Sequence, residues 1–296
     1  MLILNTFNLT IITVVIGLVS LIIASLFDVK TREVPDWLSF GLVAFALGSS
    51  LILTIYHGYA HIIINSLIGL GIGVLLGLLM FYTGQWGGGD AKLIIGLSAL
   101  IGFSISDPGR GVQSIPFLIL FFINILLVGA VYGIIFSIVK AILNFKDFRR
   151  AAEKKLRSKE VVVARILLII LASGAFVFLL ATRSVESAGL FLLVISLFLF
   201  FYLWVFISIV EKACMIRKVR VKDLTEGDWI VNPVVRKNKV ILKPTRTGVT
   251  LRQLALLKKH RVRKVTIKVG VPFVPSFLIA YILTFILGNW LHYLLL

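Results

Sequence analysis

Two aspartates in this 296-residue chain stand where a carboxylate is costly, and therefore informative. Asp28 closes the apolar run SLIIASLFD, and Asp90 closes GQWGGGD just before another apolar run begins. Ionisable groups at membrane depth are expensive and usually serve function. Two carboxylates within hydrogen-bond reach cannot both ionise, so they share a proton. One can then act as base on a water while its partner donates to the oxygen of a peptide carbonyl. Such a pair titrates as a unit, which leaves base and acid unassigned between Asp28 and Asp90. Gly87, Gly88 and Gly89, directly before Asp90, are expected to allow positive φ and close backbone approach, so that an extended substrate could lie beside the carboxylate. Plainer readings stand beside these. Asp90 could cap the helix that follows, Asp28 could pair with Lys30 or Arg32, and the triple glycine could be a flexible turn.

The remaining chemistry-bearing residues have ordinary places. Glu153, Glu160, Asp223, Glu226 and Asp228 lie among lysines in polar stretches, and Asp107 precedes Pro108 in a turn; these are read as surface charges. Asp36 follows Pro35 at the start of an apolar run and is expected to cap that helix, where a carboxylate meets unpaired amides. Lys92, two residues after Asp90, could tune it, hold substrate, or simply snorkel to the interface. Trp37 and Trp86 are read as interfacial aromatics, and Gln85 receives no role. His57 and His61 have i, i+4 spacing but no neighbouring acid or cysteine, so no metal site is expected. Cys214 is the only cysteine, which excludes an internal disulfide and any CxxC site. The two-carboxylate chemistry calls for no cofactor.

The elements that must position Asp28 and Asp90 are membrane helices. The chain is 59% hydrophobic with a mean hydropathy of +1.05, and apolar runs long enough to cross a hydrocarbon core of about 30 Å recur along it. They are placed at 8–27, 36–56, 62–83, 91–106, 115–144, 162–182, 188–211 and 271–294. The expected fold is an all-α polytopic membrane protein of about eight transmembrane helices. No cleavable signal is read at the N-terminus, so the first span is expected to persist.

The net charge of +18 sets orientation. Of 31 Lys and Arg, 29 fall in alternate loops or at the helix ends beside them, leaving Arg110 and Arg183 for the opposite side. The positive-inside rule then puts both termini outside, and Asp28 and Asp90 together at the cytoplasmic face. Residues 1–211 read as a seven-span bundle, 212–269 as a small basic cytoplasmic α+β domain, and 270–296 as the last span. In the insert, VRVKDL, DWIVN, KVILK and KVTIKV look like strands, and TLRQLALLKKHR like a helix with Thr250 as N-cap. Its charge suits anionic lipid headgroups, and no motif for nucleic-acid binding accompanies it.

The motifs also carry a family resemblance. GGGDAK at 87–92 resembles the GxGD signature of membrane-embedded aspartic proteases. DVKTREVPDWL at 28–38 resembles the first-aspartate motif of the prepilin peptidases, with Pro35 and Leu38 at the family's offsets. GVPFVPSFLIAYILTFILG at 270–288 looks like the C-terminal region of archaeal members. The resemblance implies an endopeptidase that cleaves class III signal peptides of type IV prepilin-like or preflagellin precursors, with Asp28 and Asp90 catalytic and Gly87, Gly88, Gly89, Lys92 and Pro35 supporting the loops or the substrate. Its partners would be hydrophobic precursor proteins and membrane lipids. Bacterial relatives often carry a cysteine-rich region and methylate the new N-terminus; this chain has no CxxC, so a peptidase without methyltransferase activity is expected. Presenilin-type proteases pair GxGD with Tyr-Asp and Pro-Ala-Leu motifs, whereas Asp28 here follows Phe27. Two other classes stay open: a proton- or cation-coupled transporter using the same acids as a relay, and a membrane scaffold that binds a partner through 212–270.

Overall fold

The computed structural model describes residues 2–103, 115–236, 239–245, 248–288 and 290–291. Asp107 and Arg110 lie outside the described residues, as does residue 1. The described chain forms ten α-helices and five short strands. In order these are α1 (Leu2–Thr31), α2 (Asp36–His57), α3 (His61–Tyr82), α4 (Gly88–Ile101), α5 (Phe117–Leu143), α6 (Phe145–Leu156), α7 (Lys159–Thr182) and α8 (Val185–Cys214). Then come β1 (Ile216–Arg220), β2 (Trp229–Ile230), β3 (Val234–Arg236), β4 (Lys239–Leu242), α9 (Leu251–Lys259), β5 (Lys264–Lys268) and α10 (Val274–Leu287).

Six helices are long and apolar enough to cross a membrane: α1 over Ile11–Thr31, then α2, α3, α5, α7 and α8. Their outward faces carry exposed Ile52, Leu75, Leu79, Leu127 and Ile170, a surface suited to lipid rather than water. The chain is a multi-pass membrane protein. Eight crossings were expected, and glycine explains the difference. Gly102 (φ 69°) stops α4 and Gly288 (φ 54°) stops α10, leaving 14 residues in each. At 1.5 Å per residue each is about 21 Å long, short of a hydrocarbon core of about 30 Å. The fourth helix also starts earlier than expected, so Asp90 lies inside its first turn.

The described chain separates into two compact units. One comprises Met1–Gly133, Val219–Val265 and Gly270–Leu296. Here α4 packs against both α2 and α3, with α10 against α1. Close approach of α3 to α4 depends on glycines four apart. A Cβ on Gly69 would fall 2.3 Å from the Ser98 carbonyl oxygen, and one on Gly73 2.6 Å from the Ser98 Cβ. Small residues on one stripe are the usual means of bringing membrane helices together. The core of this unit gathers Leu21, Leu38, Leu93, Leu97, Phe121 and Phe277. Polar links cross it as well: the Asn124 side-chain amide donates to Thr284 Oγ1 at 2.9 Å.

The second unit comprises Ile134–Lys218 and Thr266–Val269. It contains an element that the sequence reading leaves as loop. α6 is an amphipathic helix whose Phe148, Ala151, Ala152 and Leu156 pack around Val161, Val205 and Ile209 of α7 and α8. Its charged residues hide this pattern in a hydropathy scan tuned to spans.

The region before α10 contains helix and strand, as expected, with altered bounds. β1 lies at 216–220, and 221–223 form a 3-10 turn where VRVKDL was expected to be strand. β3 was not foreseen; it pairs antiparallel with β4, Arg236 facing Lys239. The other sheet has the order β1–β5–β2. Thr250 caps α9 as expected, its hydroxyl accepting from the Gln253 N–H at 3.3 Å while Gln253 returns a bond to the Thr250 N–H at 3.0 Å.

Candidate active site

Asp28 sits in the last turn of α1 and is 5% exposed. Its Oδ2 accepts a hydrogen bond from the Val274 N–H at 2.9 Å, at the first residue of α10. The first amides of a helix have no intrahelical partner, and a carboxylate there also meets the positive end of the helix dipole. α1 ends immediately afterwards. Arg32 takes a left-handed conformation (φ 64°), and its N–H closes on the Asp28 carbonyl at 2.9 Å. The Arg32 guanidinium donates through Nη1 to the Gly270 carbonyl at 2.7 Å, and its charge is felt by the Asp28 carboxylate.

Asp90 is the third residue of α4, half-buried, and its Oδ2 accepts the Gly87 N–H at 3.0 Å. The helix-capping reading of Asp90 is therefore realised, by one of its two oxygens. Asp28 and Asp90 are close enough for the charge on one to act on the other. The end of α1 and the start of α4 thus lie against each other, with the two aspartates within electrostatic reach.

The glycines act differently from expectation. None of Gly87, Gly88 and Gly89 has positive φ; Gly84, at the turn after α3, does (φ 74°). Gly87 is the extended residue that starts α4 (φ −72°, ψ 164°). Close approach is needed at Gly89, where a Cβ would lie 3.1 Å from both the Cβ and the backbone N of buried Val34. That contact joins the segment after Asp28 to the one holding Asp90. Pro35 then starts α2 in an extended conformation (φ −60°, ψ 134°).

Trp86 was expected at the interface, but it is 5% exposed and packs edge-to-face on Phe277 at 5.1 Å between ring centroids. It also lies against Phe273 at 6.5 Å. The segment 270–277 therefore touches both acidic loops, Asp28 by a hydrogen bond and the Asp90 loop by aromatic packing. Trp37, by contrast, is 63% exposed, as an interfacial side chain would be. Tyr132 of α5 adds a phenol within electrostatic reach of Asp28 and Arg32. Neither its role nor that of residues 273–274 could be read from spacing, because they lie more than 100 residues from Asp28 with no pattern linking them.

Lys92 turns away from Asp90. Its Nζ pairs with Asp36 Oδ1 at 2.7 Å and lies 5.7 Å from the centre of the Phe40 ring. Asp36 stands in the first turn of α2 as expected, and its carboxylate pairs with Lys92. His57 ends α2 and His61 begins α3, so the i, i+4 spacing does not place them on one helical face.

Six long apolar helices mark a multi-pass membrane protein, in which Asp28 and Asp90 lie within electrostatic reach of each other. Residues 15–134, which hold both aspartates, match the type IV leader peptidase family. Three curated relatives are preflagellin peptidases. The one from Methanocaldococcus jannaschii is 40% identical over 94 residues, covering 29% of this chain and 37% of the relative. That from Methanococcus maripaludis is 44% identical over 91 residues, again 29% and 37%. That from Methanococcus voltae is 34% identical over 148 residues, 47% and 60%. The matches thus span between about a third and three-fifths of the relatives' length. No solved structure matches the chain.

Proposed function

We propose that this protein is an aspartic endopeptidase that removes class III signal peptides from type IV prepilin-like or preflagellin precursors, with Asp28 and Asp90 as its catalytic pair. The observation that carries this reading is the convergence of the two acids, from α1 and α4, inside the segment that matches the leader peptidase family. In the reaction, the ionised member of the pair takes a proton from water, and the oxygen attacks the scissile carbonyl. The protonated member donates to the carbonyl oxygen, and the tetrahedral intermediate then collapses as the nitrogen of the leaving amine gains a proton. The bonds from Val274 N–H to Asp28 and from Gly87 N–H to Asp90 each hold one carboxylate oxygen.

The topology that suits this chemistry places α4 and α10 with the six longer helices, both termini outside, and the acids at the cytoplasmic face of the cell membrane. Residues 212–269 then form a cytoplasmic basic domain against anionic headgroups. A precursor would keep its hydrophobic segment in the bilayer and its leader in the cytoplasm, bringing the scissile bond level with Asp28 and Asp90. With one cysteine and no CxxC, the chain acts as peptidase without methylating the product.

The test is cleavage of a class III precursor by membranes containing the wild type, Asp28→Asn or Asp90→Asn, with N-terminal sequencing of the product. Each substitution is expected to abolish cleavage while leaving insertion intact. Near-normal turnover by either variant refutes the pair; proton-coupled uptake into proteoliposomes that is lost in Asp28→Asn would point to a transporter instead.

A further inference from the structure

Among the described residues, three that are not glycine have positive φ, and all are arginines within two residues of a helix end: Arg32, Arg183 and Arg261. Glycine adopts this conformation without steric penalty, and a side chain there is worth explaining. Of the three, Arg32 is the one whose guanidinium makes a hydrogen bond to backbone distant in sequence. That bond falls on Gly270, four residues before the amide that holds Asp28.

The connections form a closed ring. Asp28 Oδ2 binds the Val274 N–H; residues 270–274 lead back to the Gly270 carbonyl; Arg32 Nη1 binds that carbonyl; and the Arg32 N–H returns to the Asp28 carbonyl. A ring with two hydrogen bonds to one residue's carboxylate and backbone leaves that carboxylate little freedom to turn. The left-handed turn at Arg32 is what directs the side chain toward Gly270, rather than along the α1 axis. Phe273, inside the ring, is itself seated tightly, since a Cβ on Gly129 would come 2.4 Å from its ring. The guanidinium also places a positive charge within reach of Asp28.

We infer that Arg32 is a positioning residue for Asp28: it clamps the Gly270–Val274 segment so that the Val274 amide fixes the carboxylate in its working orientation. This inference rests on the proposed peptidase reading. It differs from a simple helix-stop role in a way that glycine exposes. Glycine at position 32 would satisfy the left-handed backbone and remove the side chain, with its bond to Gly270 and its charge.

The experiment compares Arg32→Gly, Arg32→Lys and a Lys30→Gln control with the wild type, as full chains in membranes, measuring kcat and KM for precursor cleavage and the thermal midpoint. For Arg32→Gly, kcat is expected to fall at least about tenfold, within the roughly hundredfold that ångström-scale misplacement of a reacting group can cost. KM should stay within about threefold, and the thermal midpoint should hold. Arg32→Lys, which keeps a charged donor, should recover much of kcat, and Lys30→Gln should match the wild type. Arg32→Gly with near-wild-type kcat, a loss confined to KM, or a loss that lysine fails to recover would each overturn the inference. Asp28→Asn run alongside separates the two failures. If it still cleaves, the catalytic assignment falls and takes this inference with it; if it is inactive while Arg32→Gly is active, the inference alone falls.

Discussion

The three consecutive glycines before and within the start of α4 make a graded prediction, because each would meet a different neighbour if given a methyl group. At Gly89 the added Cβ lies 3.1 Å from Val34 Cβ and backbone N, so the two segments must part by a few tenths of an ångström. At Gly88 the nearest atom is the Phe81 ring edge at 3.7 Å, an ordinary contact, and at Gly87 it is Asp90 Oδ2 at 3.4 Å. Alanine gains roughly 0.5–1 kcal/mol over glycine inside a helix. Overpacking a tight site costs roughly 1–3 kcal/mol. Gly88→Ala should therefore be neutral or slightly stabilising, and Gly89→Ala destabilising by up to about 2 kcal/mol. The effect on catalysis follows from geometry. If about 1 Å of misplacement costs about a hundredfold, a few tenths between the Asp28 and Asp90 segments should cost about three- to tenfold in kcat. Gly89→Val should cost more than Gly89→Ala, and Gly87→Ala should fall between the two alanine variants at 88 and 89. The assay is precursor cleavage in membranes at matched protein levels. Full activity in Gly89→Ala together with loss in Gly88→Ala would refute the packing argument, and would favour a substrate-facing role for the glycines instead.

Two further predictions rest on charged groups. Lys92 and Asp36 form an exposed ion pair, with side chains 43% and 62% exposed, so Lys92→Ala, Asp36→Ala and the double variant should each change stability by about 1 kcal/mol or less, with non-additivity in a double-mutant cycle. A loss of cleavage in Lys92→Ala that is absent in Asp36→Ala would instead give Lys92 a part in substrate binding. Between α8 and α10, burial pushes the Asp228 carboxyl above its ordinary value of 3.8, against the Thr225 N–H that it accepts at 2.9 Å. A raised pKa in the fold means tighter proton binding there than in the unfolded chain. The associated stability is complete below about 3.8 and is lost as pH rises through the folded value. Exchange of the Gly227 amide, bonded to the Val249 carbonyl at 2.8 Å, should therefore speed up on raising pH beyond its intrinsic base catalysis, and Asp228→Asn should flatten that excess.

Much of this architecture was legible because hydrophobic length is a strong signal. The six long helices lie within a few residues of their expected places, and Asp28 and Asp90 could be singled out as acids at the ends of apolar runs. What was not legible has three physical causes. At α4 and α10 the helices are shorter than expected, because glycine at 102 and 288 ends a helix that hydropathy alone would extend. Amphipathic α6 was taken for loop because its apolar face is too narrow to register as a span. Residues 273–274, Tyr132, Trp86 and the side chain of Arg32 join the site through tertiary contacts, which no local period encodes. Of the triple glycine, Gly89 is the one with a tight internal neighbour, and the positive φ expected there belongs to Gly84.

The hydrogen bond between Asp28 and Val274 also has a consequence in time. A chain is made from its N-terminus, so α1 with Asp28 is complete long before the ribosome reaches α10, 246 residues later. Until α10 is in place, Asp28 lacks its Val274 partner and Arg32 lacks the Gly270 carbonyl. The nascent protein therefore carries both acids without the arrangement that holds the first of them. Docking of α10 against α1 is the event that completes the hydrogen bonds around Asp28, so that carboxylate is held only once nearly the whole chain has been made.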